Sequence, residues 1–316
     1  MDAVAAETDW SDPATVIAGW RSRPAAVAID ASSNALTIDV EDYFQVEAFS
    51  KVIARAAWDG YECRVERNVD RILALLERAG ARATFFTLAW IAERHPQVVR
   101  RIVDAGHELA SHGSDHRRAD ALARPQFLAD VTHAKDVLEQ SSGSEVKGYR
   151  APNFSIMRSN LWVMEALIEA GYRYSSSTYP IVHDSYGIPE APRFAFHPLP
   201  DHSFLEIPVT TVRLFGRNWP CGGGGYFRLL PYEVSAYALG RVKRRQGQPC
   251  VFYFHPWEID PTQPHIANAP LKSRVRHYMN LSRMEARLIR LLRAFRWRRM
   301  DQVFALSSPP GARAAP

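Results

Sequence analysis

Short apolar runs alternate with amphipathic stretches that end on glycine, and this alternation constrains the fold more than any other feature of the chain. Ala35-Leu36-Thr37-Ile38-Asp39-Val40 reads as a buried strand. Residues 69–79 carry Ile72, Leu73, Leu75 and Leu76 at helical spacing and stop at Gly80. A second strand follows at 83–88, then a helix over 90–105 closed by Gly106, then a short strand Glu108-Leu109-Ala110-Ser111. The pattern continues with a helix over 127–140, a strand over 146–150, a helix over 161–170 ended by Gly171, an apolar strand over 250–254 and a long helix over 277–295. Strands that alternate with helices pair in parallel through helical crossovers, so the chain reads as an α/β protein. In such folds chemistry gathers at the carboxyl ends of the strands.

The rest of the composition fits that reading. The chain has 316 residues, of which 47% are hydrophobic and 23% charged, enough for one large α/β domain with a sizeable core. The formal net charge is +5, and much of the excess lies in Lys243-Arg244-Arg245 and Arg296-Trp297-Arg298-Arg299. Both runs read as solvated helix faces, and no nucleic-acid motif accompanies them. No apolar stretch reaches the ~18 residues needed to span a bilayer. Cys63, Cys221 and Cys250 are odd in number and form no CxxC pair, which argues against a disulfide framework and for a reducing compartment. The first residues carry Asp2, Glu7, Asp9 and Asp12 and lack the pattern of a secretory signal, so a cytoplasmic location is expected. Residues 1–33 and 307–316 are expected to be a disordered leader and tail around a domain over 34–306, with a C-terminal helical extension from about residue 265.

Four segments carry candidate chemistry, and each follows an apolar strand. In TIDVEDYF (37–44), Asp39, Glu41 and Asp42 crowd three carboxylates into four residues, costly to bury unless a cation resolves the repulsion. In SHGSDH (111–116), His112 and His116 are four apart, and one helical turn puts both imidazoles on one face. Mixed nitrogen and oxygen ligation suits zinc, cobalt, nickel or iron rather than calcium, and open positions on such an ion suit hydrolysis. RAPNFS (150–155) otherwise reads as a proline-led loop with a surface arginine. FHPWE (254–258) sets His255 just after a strand, where a core histidine is the bland alternative.

These four segments, in this order, resemble the motifs of the polysaccharide deacetylase family (NodB-like, carbohydrate esterase family 4) over about residues 35 to 260. TIDVEDYFQ, HDSYGIP at 183–189 and HPWEID look most like the branch found with exosortase and exopolysaccharide loci, near HpPgdA-type peptidoglycan deacetylases and allantoinase-like proteins. The resemblance implies a distorted (β/α) barrel of about seven parallel strands, one divalent metal ion, and hydrolysis of N-acetyl groups on a glycan. It implies that Asp39 is the general base, that His112 and His116 are metal ligands, that His255 is the general acid and that Arg150 holds Asp39. Glu41 is favoured as the third ligand because strand alternation turns it to the side of Asp39, with Asp42 the alternate. Tyr43, Pro152, Asn153 and Trp257 are the implied substrate contacts, Tyr43 through its backbone N–H. Oligomeric state is left open.

The chain also departs from the pattern. The usual adjacent Asp-Asp is spread over Asp39 to Asp42, and Ser175 stands where the branch commonly has Asp. Gly222-Gly223-Gly224-Gly225 lacks the GK[ST] of a phosphate loop and reads as a flexible or close-packed turn. Trp219, Tyr226 and Trp257 are candidates to stack on sugar faces. Two further readings compete: an allantoinase-like hydrolase of a small cyclic amide, and a non-catalytic glycan binder.

Overall fold

A computed structural model describes residues 9–24, 29–200 and 202–306. The strands are β1 (Asn34–Val40), β2 (Thr84–Thr87), β3 (Glu108–Ser111), β4 (Gly148–Tyr149), β5 (Tyr174–Ser175), β6 (Leu205–Glu206), β7 (Thr211–Leu214), β8 (Arg217–Pro220), β9 (Val251–Phe254) and β10 (Trp297–Arg298). Eight of them form one parallel sheet in the order β10-β1-β2-β3-β4-β5-β6, with β9 on the other side of β1. The segment after β6 reaches back to β9, where Tyr253 N–H donates to the Gly222 carbonyl at 2.8 Å and Thr210 N–H to the Val251 carbonyl at 3.4 Å. The result is the distorted parallel barrel that the alternation and the resemblance lead one to expect, with β7 and β8 standing off it as an antiparallel hairpin.

Period-two alternation along β1 sorts its side chains. Leu36, Ile38 and Val40 face the outer layer, where they meet helices Val65–Arg78, Tyr232–Gln246 and Leu281–Ala294 in one apolar cluster. Each is fully buried, worth roughly 1.5–3 kcal/mol apiece. Ala35 faces the barrel interior with Phe86, Ala110, Tyr174 and Val251, and the short helix Met300–Val303 plugs the lower end. Thr37 and Asp39 share that inward face, so the strand delivers a carboxylate to the upper mouth. Among the described residues no helix is long and apolar enough to cross a membrane.

Several elements differ from their sequence-based bounds. The helix expected over 90–105 is two, Ala89–Arg94 and Pro96–Asp104, because Pro96 disfavours a helical residue before it and His95 breaks the run. The helix over 277–295 is likewise Leu271–Tyr278 and Leu281–Ala294, split at Asn280 with φ 55°. After these helices the chain re-enters the sheet as β10, so residues 265–306 are no appended extension, and Arg296–Arg299 is no helix face. Within the expected leader, Pro13–Arg21 is a helix capped by Asp12. Its Trp20 is fully buried, with Nε1–H donating to the Pro198 carbonyl at 3.0 Å; one large indole with its donor satisfied outweighs the polar composition around it. Residues 307–316 lie outside the described residues.

Candidate active site

Six side chains from four strand ends converge at the upper mouth. Asp39 closes β1 and Glu41 follows it; His112 and His116 follow β3, Arg150 follows β4 and His255 follows β9. Glu41, His112 and His116 are buried and offer ligand atoms that all lie within 4.8 Å of one another. Glu41 Oε2 has no hydrogen-bond donor, although His116 Nε2 lies 2.7 Å away. A buried carboxylate oxygen and two imidazole nitrogens aimed at one point fit a cation. The two histidines do not meet through a helical turn as their spacing suggested. They lie in a loop, and His116 is placed by a left-handed backbone at φ 59° just after Gly113 at φ 81°.

The surroundings fix each ring. His112 Nδ1 lies 2.8 Å from the Arg150 carbonyl; a carbonyl only accepts, so Nδ1 carries the proton and Nε2 is left free to ligate. Burial, only partly offset by Asp39, holds His112 down to about pKa 4, in the neutral form a ligand needs. For Glu41, burial works against ionisation, but His116, His255 and His112 outweigh it and hold the carboxyl down to about 2.

Arg150 is fully buried rather than a surface residue. Its guanidinium gives Nη1–H to Asp39 Oδ1 at 2.6 Å and to Thr37 Oγ1 at 2.8 Å, and bonds the Ser176 carbonyl at 3.0 Å and Ser176 Oγ at 2.9 Å. Four fixed bonds leave Asp39 one orientation, with Oδ2 turned toward His255 at 4.0 Å. Ser175, the departure from the branch pattern, bonds Ser177 at 2.7 Å. A carboxylate does stand beside it: Glu206 of β6 accepts from Ser177 N–H and from Thr178 N–H and Oγ1.

His255 is the most open of the group, with 20% of its side chain exposed. Its Nε2 faces Glu41 at 3.5 Å and Asp39 at 4.0 Å, while Nδ1 lies 2.8 Å from Glu258 Oε1. Burial alone would depress its pKa, but Glu41, Glu258 and Asp39 override that and raise it to about 9. Glu258 is held ionised against its own burial by Arg228, whose Nε–H reaches Oε2 at 2.6 Å, and by His255. Gly224 packs against that carboxylate so closely that a Cβ there would fall 2.3 Å from Oε1. The glycine run is thus a close-packed segment beside β9 and not a phosphate loop. Reading the sequence missed Glu258, Arg228 and Ser176. Only Glu258 left a signal, as the fourth residue of HPWE, where it bonds back to His255 N–H at 3.0 Å in a capping box.

Four expected roles change. Asp42 turns away from the ligands: its carboxylate accepts from Tyr43, Arg64 and Val65 N–H and caps helix Val65–Arg78. The Tyr43 N–H is therefore already engaged, at 2.8 Å, and not free for an oxyanion. Trp257 is buried, stacks on His255 and His277, and gives its Nε1–H to Glu41 Oε1 at 3.3 Å; it supports the site and offers no face to a sugar. Pro152 is buried, and Asn153, at φ 56°, reaches Glu47 at 3.4 Å; neither bonds to the six convergent residues. Trp219 stands half-exposed on β8.

Residues 51–175 match the polysaccharide deacetylase family, and residues 176–305 match a domain of unknown function, DUF3473. A peptidoglycan deacetylase of Helicobacter pylori is 27% identical over 121 residues, 38% of this chain and 39% of that protein. A peptidoglycan-N-acetylglucosamine deacetylase of Bacillus cereus is 28% identical over 96 residues, 30% of this chain and 35% of that protein. The matched stretch is thus little more than a third of either relative. A solved structure described as a putative polysaccharide deacetylase from Mycobacterium smegmatis superposes with a TM-score of 0.57 at 19% identity, covering 93% of this chain and 98% of that one, which bears on the fold. His112, His116 and Arg150 lie inside the first matched region, His255 and Glu258 inside the second, and β1 is hydrogen-bonded to both. Residues 51–175 thus resemble a polysaccharide deacetylase domain, the DUF3473 match follows it directly, and β1, with Asp39 and Glu41 at its end, lies before both.

Proposed function

We propose that this protein is a divalent-metal-dependent hydrolase that removes N-acetyl groups from an amino-sugar glycan. One observation carries the reading: three buried ligand atoms from Glu41, His112 and His116 within 4.8 Å of one another, flanked by a fixed carboxylate and a cationic imidazole. Names of relatives support amide hydrolysis on N-acetylated cell-wall sugar.

Glu41, His112 and His116 would hold the ion, with zinc proposed and cobalt, nickel or iron as alternatives; when bound it supplies Lewis-acid polarisation and lowers the pKa of nearby water. Asp39, fixed by Arg150, would take the proton from the attacking water. His255, cationic through its three carboxylate neighbours, would protonate the departing sugar nitrogen, a step worth roughly 10²–10⁴-fold. Thr37 and Ser176 keep Arg150 in place, and Trp257 steadies Glu41. The HDSYGIP and HPWEID forms support a place in exopolysaccharide biosynthesis.

The test is acetate release from N-acetylglucosamine oligomers alongside elemental analysis. About one divalent ion per chain is expected, lost with turnover in His112→Ala/His116→Ala. Metal content unchanged in that double variant would refute the ligand set, and turnover of a small cyclic amide without acetate release would move the substrate class.

A further inference from the structure

The β7–β8 hairpin turns through Phe215 and Gly216, which lie between the paired residues Leu214 and Arg217. Both have positive φ, 51° and 74°, the signature of a type I′ turn, where Asn-Gly or Asp-Gly is the favoured pair. A bulky side chain in the left-handed region is a conformational outlier. Phe215 recovers nothing from the fold in return, because it is 98% exposed. A strained backbone carrying a fully exposed aromatic ring points to use outside the fold.

Its neighbours sharpen the point. Arg213 and Arg217 flank the tip and are exposed, and Trp219 is half-exposed behind it. The hairpin packs against helix Tyr232–Gln246, whose outer face carries the exposed Val234 and Tyr237 and ends in Lys243, Arg244 and Arg245. Between Glu206 and Glu258 the sequence holds seven Arg and Lys and a single acidic residue, Glu233, itself paired with Arg290 at 2.9 Å; Arg228 is buried against Glu258 and Lys243 bonds the Ser33 carbonyl, which leaves Arg213, Arg217, Arg241, Arg244 and Arg245 to the surface. The stretch is therefore strongly basic in a chain whose whole formal excess is +5. Aromatic tips between cationic side chains suit the boundary of a bilayer with anionic headgroups, where rings enter the acyl edge and arginines stay at the phosphates.

We infer that the β7–β8 hairpin and the adjoining face of helix Tyr232–Gln246 dock the protein on an anionic lipid surface, with Phe215 as the inserted anchor. The docking is peripheral. A flexible anionic polymer would use the arginines but has no apolar layer to take Phe215, so the aromatic tip favours lipid.

The experiment is flotation of the full chain with phosphatidylglycerol–phosphatidylcholine vesicles and with phosphatidylcholine vesicles alone. Binding to the anionic vesicles, weakened by salt, is expected, with little on the neutral ones. Phe215→Asn should weaken it about tenfold, while leaving the melting temperature unchanged or higher, since Asn suits the left-handed position. Arg213→Gln/Arg217→Gln should weaken it about fivefold per arginine. Wild-type protein that stays with the solution, or equal binding by Phe215→Asn and wild type, overturns the inference. So does loss of self-association, rather than of lipid binding, in the Phe215 variant.

Discussion

Replacing Glu258 by Gln tests how His255 keeps its proton. Glu258 Oε1 lies 2.8 Å from His255 Nδ1 and is fully buried. A unit charge pair at about 4 Å interacts by about 4 kcal/mol at an effective dielectric near 20. Glu41 and Asp39 share the task, and the imidazole is 20% exposed, so about a third of that is the reasonable share of Glu258. This is about 1.4 kcal/mol, or one pH unit. The imidazole pKa is raised to about 9, so the cation's contribution to stability and to acid catalysis is complete below about 6.5 and is lost as pH rises through about 9. The variant should bring the basic limb of kcat/KM down by about one unit and leave the acidic limb alone. A divalent ion held by Glu41 would lower the His255 pKa in variant and wild type alike, so the difference between the two is what counts. Arg228 keeps carbonyl partners at 2.9 and 2.7 Å from His277 and Met279, and the glutamine oxygen can still accept, so the protein should fold with a loss of about 1–3 kcal/mol. The assay is the pH profile of acetate release, with a thermal melt as control. A folded, metal-loaded variant whose basic limb has not moved would show that Glu258 only packs.

Three further substitutions separate the neighbouring carboxylates and probe the glycine run. Asp39→Asn should abolish turnover and keep metal, whereas Asp42→Ala should keep metal and lower stability by about 1–2 kcal/mol through the lost helix cap, read by elemental analysis and thermal melts; metal lost from Asp42→Ala without a fall in melting temperature would reverse those roles. Gly224→Ala forces Glu258 off His255, and kcat should drop about 10²-fold with metal retained; wild-type kcat would mean the segment adapts.

The parallel barrel was legible because β1, β2, β3 and β9 are apolar runs of four or more residues between helices with glycine stops. The two-residue strands β5 and β6 and the β7–β8 hairpin were not, since neither length nor period marks them. Strand alternation favoured Glu41 over Asp42, and it is Glu41 that the fold sets beside His112 and His116. His112 and His116 came together for a different reason from the one the spacing offered: two positive-φ residues in a loop, which no periodicity records. Arg228, thirty residues before Glu258, could not be linked to it without the fold. Trp257 misled because an aromatic after a catalytic histidine looks the same in sequence whether its ring faces sugar or packs behind a ligand.

The position of β1 between two distant partners has a consequence for how the protein is made. β2 follows it closely, but Thr37 Oγ1 donates to the Phe252 carbonyl, 215 residues downstream. At about 5–20 residues per second on the ribosome, one edge of this apolar strand waits roughly 10–40 s for its neighbour. During that interval Asp39, Glu41, His112 and His116 already exist, while His255 does not. The unpaired edge is then the place where two nascent chains can pair wrongly. A chain cut near residue 175 would keep that edge open for good, so the yield of soluble protein should depend on the second half being translated promptly and whole.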